Sequence, residues 1–266
     1  MVEKATNSNE EAQERVKKLS RQHFINIGHL RGTISIICLF ILWHLGSTSE
    51  LSGVKEIPTP MDVAETFWNG YLLSLKYWSN WSASFERVFY GFILAQLIGI
   101  PTGILFGLND RMRNIVFPVF EVMRPVPPLA WVPLSILFWP TNESSIVFIT
   151  FLGAFFVIVI NIYEAIRHIP KQYMWLATSL GAKQRHLFFS IILPAVIPSI
   201  AAGMTLGIAL TWEVVIAAEM IASDRGLGRL TWEGYVSSTP AVTVIGMISI
   251  GMAGCLTSAP MEQISG

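Results

Sequence analysis

The hydrophobic positions of this 266-residue sequence are grouped into long apolar runs separated by short polar stretches. A helix that crosses the hydrocarbon layer of a membrane needs about 20 mostly apolar residues, because each residue rises about 1.5 Å through a layer about 30 Å thick. Six runs approach this length, and the first and third are short: 32–46, 84–108, 125–139, 144–163, 189–220 and 241–264. The pattern predicts an all-α, polytopic membrane bundle of about six transmembrane helices.

The composition of the chain fits a lipid environment. Hydrophobic residues make up 52% of it and charged residues 14%, with a mean hydropathy of +0.53. A soluble domain of this length is less apolar. The 18 basic and 18 acidic side chains balance, so the net charge gives no indication of nucleic-acid binding. We expect residues 1–31 to form an N-terminal tail and residues 32–266 to form one transmembrane domain.

Positive charges are distributed unevenly between the loops, and this predicts the orientation of the bundle. Thirteen basic residues precede the first run or lie in the second-to-third and fourth-to-fifth loops: Lys4, Arg15, Lys17, Lys18, Arg21, Arg31, Arg111, Arg113, Arg124, Arg167, Lys171, Lys183 and Arg185. Five lie on the other side: Lys55, Lys76, Arg87, Arg225 and Arg229. Because short cytoplasmic loops retain Lys and Arg, we expect a cytoplasmic N-terminus and a cytoplasmic loop at about 164–188, in a multi-pass protein of the cell inner membrane.

Two short segments on the opposite side carry local signals. Thr59 as an N-cap, Pro60 in the first turn and Asp62 shortly after it predict a short helix at the membrane interface. The string Arg-Gly-Leu-Gly at 225–228 predicts a turn, since glycine accepts the backbone angles of a tight reversal. That turn is either a plain loop or a surface that receives a soluble partner.

The most informative segment is the loop from Trp175 to Gly181, which reads Trp-Leu-Ala-Thr-Ser-Leu-Gly and is followed after nine residues by Ile-Ile-Leu-Pro at 191–194. It resembles the loop of binding-protein-dependent ABC importers, in which Glu-Ala-Ala, three residues and Gly precede nine residues and Ile-x-Leu-Pro. Every spacer length matches, but Trp175 and Leu176 replace the Glu and the first Ala. The resemblance implies a type I ABC importer permease fold with a short coupling helix that sits in a cleft of an ATPase subunit.

The resemblance assigns coupling to the ATPase to nine residues: Trp175, Leu176, Ala177, Leu180, Gly181, Lys183, Arg185, Leu193 and Pro194. The physical pattern agrees, because helical spacing places four apolar side chains on one face: Leu176, Leu180, Leu187 and Ile191. Gly181 permits either a close approach or a break between two short helices. The same pattern also suits an amphipathic helix that lies in the lipid interface.

Other strings resemble the permeases of nitrate, sulfonate, taurine and bicarbonate importers. They lie at 124–131 with Pro133 beyond, at 152–156, and at 217–220 followed by 226–228, and the similarity extends from about residue 57 to about residue 254. The resemblance implies a permease for a small solute, of which a small anion is favoured. It implies as partners a second permease copy, cytoplasmic ATPase subunits that hold ATP and magnesium, and an extracytoplasmic binding protein.

Charged residues inside a bilayer are costly and normally face a partner, a cavity or a pathway. Arg124 opens a run in which Pro125, Pro127 and Pro128 remove backbone donors and hinder a regular helix, as a pathway wall would require. Arg124 could equally anchor the chain at the membrane–water interface, with its guanidinium group extended toward the lipid headgroups. Two interpretations are open for Trp131 and Trp212: they border the channel, or they lie at a membrane interface. For Trp139 the interface interpretation is preferred.

Glu213 and Glu219 are six residues apart in the fifth run, so one pocket cannot readily use both. Glu219 lies near the outer end, where it either meets water or caps a neighbouring helix, and both glutamates are pathway candidates. Glu213 lies deeper and could pair with Arg124 or line the pore. Small residues in the same run, such as Gly203 and Gly207, allow close helix packing.

The sequence lacks the usual arrangements for chemistry. The five histidines show no metal-ligand spacing, and no glycine-rich phosphate loop with a following Lys and Ser or Thr is present. We therefore expect no catalytic residue, no metal and no cofactor on this subunit. A secondary transporter would need buried ion-coupling groups, and a membrane enzyme a nucleophile with its base. The spacing of the coupling loop favours the importer subunit over both.

Overall fold

The computed structural model describes residues 32–49 and 56–265, and most of these residues are helical. The predicted tail at 1–31 and the basic residue Lys55 lie outside the described residues. The chain separates into two compact units, Met1–Glu65 and Thr66–Gly266, which are described in turn.

The first unit contains an apolar helix, α1 (Gly32–Thr48), and most of α2 (Pro60–Thr66). A reciprocal cap begins α2, because the backbone N–H of Thr59 donates to Asp62 Oδ2 at 3.0 Å and the N–H of Asp62 donates to Thr59 Oγ1 at 3.2 Å. Hydrogen bonds from the side chain and backbone of Thr59 lower the pKa of Asp62 below its ordinary value. The predicted short helix is therefore confirmed.

The second unit holds the rest of the chain in one sequence of helices. A π-helical turn (Phe67–Tyr71) precedes α3 (Leu75–Leu108), α4 (Asp110–Ile115), α5 (Phe117–Met123), a 3₁₀ turn (Pro128–Trp131), α6 (Val132–Phe138), α7 (Asn142–His168), α8 (Lys171–Ser179), α9 (Gln184–Leu187), a second π-helical turn (Phe188–Ile192), α10 (Leu193–Ala222), α11 (Leu227–Val236) and α12 (Pro240–Ser265). The π-helical turn joins α9 to α10 in one continuous helix, Gln184–Ala222.

All six predicted apolar runs are helical. Within residues 32–49 and 56–265, four helices are long and apolar enough to cross a membrane: Leu75–Leu108, Asn142–His168, Gln184–Ala222 and Pro240–Met261. The first and third runs correspond to shorter apolar helices, Gly32–Thr48 and Pro128–Phe138. The predicted polytopic all-α class is confirmed.

Some predicted boundaries are wrong. The second span begins at Leu75 rather than at residue 84, so Arg87 lies well inside α3 and not near its start, where the predicted run placed it. The third run is broken, since the chain leaves α5 at Met123 and resumes helical geometry only at Pro128. The prolines explain the break because each one lacks a backbone donor. The turn predicted at 225–228 is present, but α11 begins within it at Leu227.

Helix α7 is at the centre of the unit, with α3 and α10 packed against it. On α3, every fourth residue facing α7 is small: Gly91, Ala95, Gly99, Gly103 and Gly107. A Cβ atom added to Gly103 would lie 2.8 Å from the side chain of Ile162, and one added to Gly107 would lie 2.8 Å from Ile166. Close helix approach of this kind stabilises a bundle in lipid, where apolar burial between helices contributes little. Gly203 and Gly207 of α10 also face α7, as their spacing predicted.

Candidate functional site

The coupling segment, which we define as residues 171–187, consists of α8, a turn and α9. The turn has the hydrogen bonds of a Schellman motif: the N–H of Gly181 donates to the carbonyl of Thr178 at 3.0 Å, and the N–H of Ala182 donates to that of Ala177 at 3.0 Å. Gly181 has a φ of 80°, which a side chain disfavours, although a Cβ there would meet no other atom within 4 Å. Glycine is needed here for its backbone angle, and the predicted break between two short helices is confirmed.

Large apolar side chains of the coupling segment are exposed to solvent. Trp175 is 69% exposed, Leu176 62% and Leu180 80%. Leu187 is buried in α9 instead, so the prediction that the four apolar residues share one face is wrong, because the turn at Gly181 reorients the chain. Lys183 and Arg185 are exposed and Ala177 is half-buried, and the sequence has no acidic residue from 165 to 212. The exposed surface is thus apolar with a basic surround.

The last part of the coupling segment, α9, is also the first turn of the long helix Gln184–Ala222. Leu193 and Pro194 follow the π-helical turn, and Pro198 lies one turn further on. Each proline lacks the N–H that a regular helix would bond, and π-helical turns accommodate the irregularity. This part of the helix is therefore its least regular part, while the residues beyond Pro198 continue unbroken to Ala222.

The residues predicted to wall a pathway at 124–131 fall in the break between α5 and α6. Arg124 pairs with Glu121 at 3.5 Å, and both side chains are 41% exposed. Pro127 is exposed in extended geometry. Trp131 is half-buried against an aromatic and aliphatic cluster that includes Phe120, and within the described residues its buried Nε1 has no hydrogen-bond partner. The predicted irregular backbone is confirmed.

Two neighbours on α10, Trp212 and Glu213, lie in opposite environments. Trp212 is 5% exposed, donates from Nε1 to Thr257 Oγ1 at 2.7 Å and meets the ring of Phe85 edge-on. Glu213 is exposed on the other side of the helix. Among the described ion pairs, Arg124 has Glu121 as its partner, and a pair with Glu213 is not formed. Trp212 thus packs inside the chain, and Glu213 projects from it.

At the far end of the long helix, four charged residues form what we call the distal ion network: Arg87, Glu143, Glu219 and Arg225. Arg87 donates to both oxygens of Glu143 at 2.6 and 2.7 Å, to Glu219 Oε1 at 2.8 Å and to the carbonyl of Arg225 at 2.7 Å. Arg87 is 2% exposed and Glu219 is fully buried, whereas the side chains of Glu143 and Arg225 are 52% and 57% exposed. A buried pair needs such complete hydrogen bonding to offset the loss of hydration.

The same cluster holds the connection between α10 and α11. Three successive backbone N–H groups donate into it: Gly226 to Asn80 Oδ1 at 3.0 Å, Leu227 to Ser84 Oγ at 2.9 Å and Gly228 to Glu219 Oε2 at 2.9 Å. Of the two alternatives given for Glu219, the cap of a neighbouring helix is the one observed, and the side chain is buried rather than in contact with water. A side chain on Gly226, whose φ is 132°, would overlap the Glu219 carboxyl group.

Sequence reasoning missed Arg87 as a functional candidate because it placed this residue at the outer end of the second run and used it only in the charge count. A signal was present: Asn80, Ser84 and Arg87 have the i, i+4, i+7 spacing of a single helix face. A polar stripe that leads into an apolar run indicates buried partners elsewhere in the bundle. The partners themselves, Glu143 and Glu219, are distant in the sequence and carry no matching signal.

Comparison with known proteins gives consistent findings. Residues 99–262 match the family described as binding-protein-dependent transport system inner membrane component. The chain is 32% identical to the nitrate import permease protein NrtB of Synechocystis sp., covering 85% of this chain and 84% of the relative. It is 31% identical to the bicarbonate transport system permease protein CmpB of Synechococcus elongatus, covering 86% and 85%. It is also 31% identical to the taurine transport system permease protein TauC of Escherichia coli, covering 92% and 89%.

The fold is shared with a solved transporter. An inward-facing structure of the MetNI methionine ABC transporter aligns with a TM-score of 0.55 at 18% identity, over 76% of this chain and 99% of the solved chain. At this level of identity the similarity concerns the fold alone. It confirms the type I permease fold that the coupling-loop resemblance implied.

Proposed function

Because the chain belongs to the family of binding-protein-dependent transport system inner membrane components, we propose that it forms the translocation pathway of an ABC importer for a small anion. As a permease subunit it is a multi-pass protein of the inner membrane and not itself a catalytic enzyme. In the proposed complex it pairs with a second copy, binds two cytoplasmic ATPase subunits that hold ATP and magnesium, and receives cargo from an extracytoplasmic binding protein. Its N-terminus and coupling segment face the cytoplasm.

One observation carries this proposal: the exposed apolar surface of the coupling segment, closed by a glycine turn at the spacing of the family motif. An exposed cluster that includes Trp175 and Leu180 is unfavourable in water and is typical of a surface that meets a partner. Its basic surround, with Lys183 and Arg185, suits an acidic rim on that partner. An ATPase subunit with an apolar cleft has this chemistry.

Transport in this proposal proceeds by alternating access. ATP binding closes the ATPase pair, the coupling segment moves with it, and the long helix Gln184–Ala222 carries the movement into the membrane. The pathway then opens outward, and hydrolysis resets it. ATP can shift the complex from the inward-open to the outward-open state only if it binds the two states with different affinity.

The cargo is proposed from the relatives and from the exposed charges. The relatives are named for nitrate, bicarbonate and taurine, which share a small size and an oxyanion group. Arg124, Pro127 and Glu213 project from the chain and remain available to line a pathway, with Arg124 attracting an anion. Trp212 and Glu219 are buried and Trp131 is half-buried, so these three candidates support the packed chain and do not contact cargo in this proposal.

Co-purification tests the complex. The tagged chain, expressed with the ATPase and binding protein encoded beside it, should retain the ATPase in stoichiometric amount after detergent extraction. Trp175→Ala should reduce the retained ATPase, whereas Tyr235→Ala, which truncates an aromatic that is 68% exposed on α11, should not. Equal loss with both variants, or no ATPase with the wild type, would contradict the assignment.

Labelling of single cysteines tests the orientation. In a cysteine-free background, a cysteine at position 183 should react only after the cells are opened, and one at position 76 should react in intact cells. Both side chains are exposed in the chain, so accessibility depends on the side of the membrane. Labelling of position 183 from outside would refute the cytoplasmic assignment.

A further inference from the structure

A single guanidinium group joins four parts of the chain at the distal ion network. Arg87 belongs to α3, and its hydrogen-bond acceptors belong to the start of α7, the end of α10 and the connection to α11. The long helix Gln184–Ala222 begins at the coupling segment and ends beside Arg87. Its 39 residues extend over about 58 Å at about 1.5 Å per residue. The network therefore determines where the far end of this helix can lie.

The two ends of the long helix are held differently. At its start, the π-helical turn and Pro194 interrupt the regular hydrogen bonding, so bending concentrates there. At its end, Glu219 receives hydrogen bonds from Ser84 at 2.7 and 2.9 Å in addition to those from Arg87 and Gly228. These bonds have fixed directions, unlike apolar contacts, which allow helices to slide.

We propose that Arg87 is a positioning residue for transport, which keeps the end of α10 in place against α3 and α7. Movement that enters at the coupling segment then bends the helix near Pro194 and turns the portion between Pro194 and Glu219, from which Glu213 projects, about a fixed end. Without Arg87 the same movement displaces the whole helix. The inference rests on the proposed coupling to an ATPase. Arg87 is 2% exposed and acts without contacting cargo.

The test uses reconstituted complex with its ATPase and binding protein, and measures anion uptake per ATP hydrolysed. Arg87→Gln leaves Glu219 buried beside an uncharged partner, so it should reduce the amount of assembled complex. The double variant Arg87→Gln, Glu219→Gln removes that buried charge and should restore assembly and ATP hydrolysis. Uptake per ATP should nevertheless stay about tenfold below wild type, a typical coupling between sites. Recovery of uptake together with assembly would show a stabilising role alone and overturn the proposal.

Glu143→Gln provides a second test that does not depend on the buried charge. Glu143 is 52% exposed, so its replacement leaves Arg87 paired with Glu219 and should not impair assembly. Because the amide keeps only one acceptor oxygen and no charge, Arg87 loses its bidentate ion pair with α7, and uptake per ATP should fall about fivefold. The control is Lys76→Gln, which removes an ion pair to Glu233 whose lysine is 75% exposed, and it should change nothing. Unchanged coupling in Glu143→Gln would also overturn the proposal, while failure of the proposed function would be seen separately, as a wild-type chain that binds no ATPase.

Discussion

The two ends of the helix Gln184–Ala222 contrast in which side chains they bury. At the coupling segment, Trp175 and Leu180 are mostly exposed although they are apolar. At the distal ion network, Arg87 and Glu219 are buried although they are charged. The first end leaves apolar surface that, in the proposed complex, the ATPase subunit covers. The second satisfies its charges within the chain.

The contrast indicates which end depends on the complex. Changes at the distal end should affect the isolated chain, because its bonds are already formed there. Changes at the coupling end should leave the isolated chain intact and affect only the assembled transporter.

Gly226→Ala should have the largest effect. The added methyl group overlaps the Glu219 carboxyl group, and the φ of 132° disfavours any side chain. Strain and displacement of a buried carboxylate together should destabilise the isolated chain by about 3 kcal/mol, seen as a lower melting temperature in detergent. Gly251→Ala is the matched control, since a Cβ there meets nothing within 4 Å. Equal melting temperatures for the two variants would show that the distal end is less tightly packed than its geometry indicates.

Gly181→Val should act on the complex alone. A β-branched side chain at a φ of 80° disfavours the turn by about 1–2 kcal/mol, while the open space around it prevents a clash. The exposed turn can open locally at this cost, so the packed bundle should insert and melt as the wild type does, while ATPase binding weakens about tenfold. Gly181→Asn tolerates the left-handed region and should retain most of the binding. If Val and Asn behave alike, the backbone angle of the turn is not what the ATPase requires.

Arg124→Gln should give a smaller, selective effect. Its pair with Glu121 is largely exposed and contributes little stability, so the complex should assemble normally. If positive charge attracts the anion, uptake should fall several-fold in Arg124→Gln and be largely retained in Arg124→Lys. Uptake measured at matched amounts of complex would distinguish this from an interfacial anchor, for which Gln and wild type should be equal.

Removal of the Asp62 charge at the cap of α2 should have the smallest effect. It contrasts an exposed carboxylate with the buried carboxylate of Glu219. The pKa of Asp62 is lowered in the folded state, so the ionised carboxylate stabilises the start of α2 at pH values above the ordinary pKa of Asp. This stabilisation is lost as the pH falls through the pKa that Asp62 has in the folded state. Asp62→Asn should make the start of α2 insensitive to pH over that acidic range. Hydrogen exchange at the Val63 amide, corrected for the intrinsic exchange rate, would measure this pH dependence. An equal pH dependence in the wild type and in Asp62→Asn would show that the Asp62 carboxylate does not stabilise the cap.

The sequence predicted the helical class, the six apolar runs and the turn at Gly181, because apolar length and glycine position are local properties. It could not place Arg87, because the aromatic and polar residues from Leu75 onward lower the apparent hydropathy where α3 begins. The Arg87–Glu219 pair joins positions 132 residues apart, which no periodicity reports.

Exposure within α10 was also beyond prediction. This helix is apolar on all sides, so its pattern does not distinguish the face of Trp212, packed against Phe85, from the face of Glu213. The positions of α3, α7 and α12 around it decide which side is buried. The assignment of the pathway candidates therefore required the packed bundle.

The small residues of α3 that face α7 have a genetic consequence. Every amino-acid substitution at a glycine adds a Cβ atom, so Gly91, Gly103 and Gly107 have no conservative replacement, whereas the β-branched residues opposite them do. In a library of random point mutations, these three positions should tolerate few changes, and second-site suppressors should appear at Thr150, Ile162 or Ile166 as smaller side chains. This apolar interface is thus expected to vary little on the α3 side and more on the α7 side.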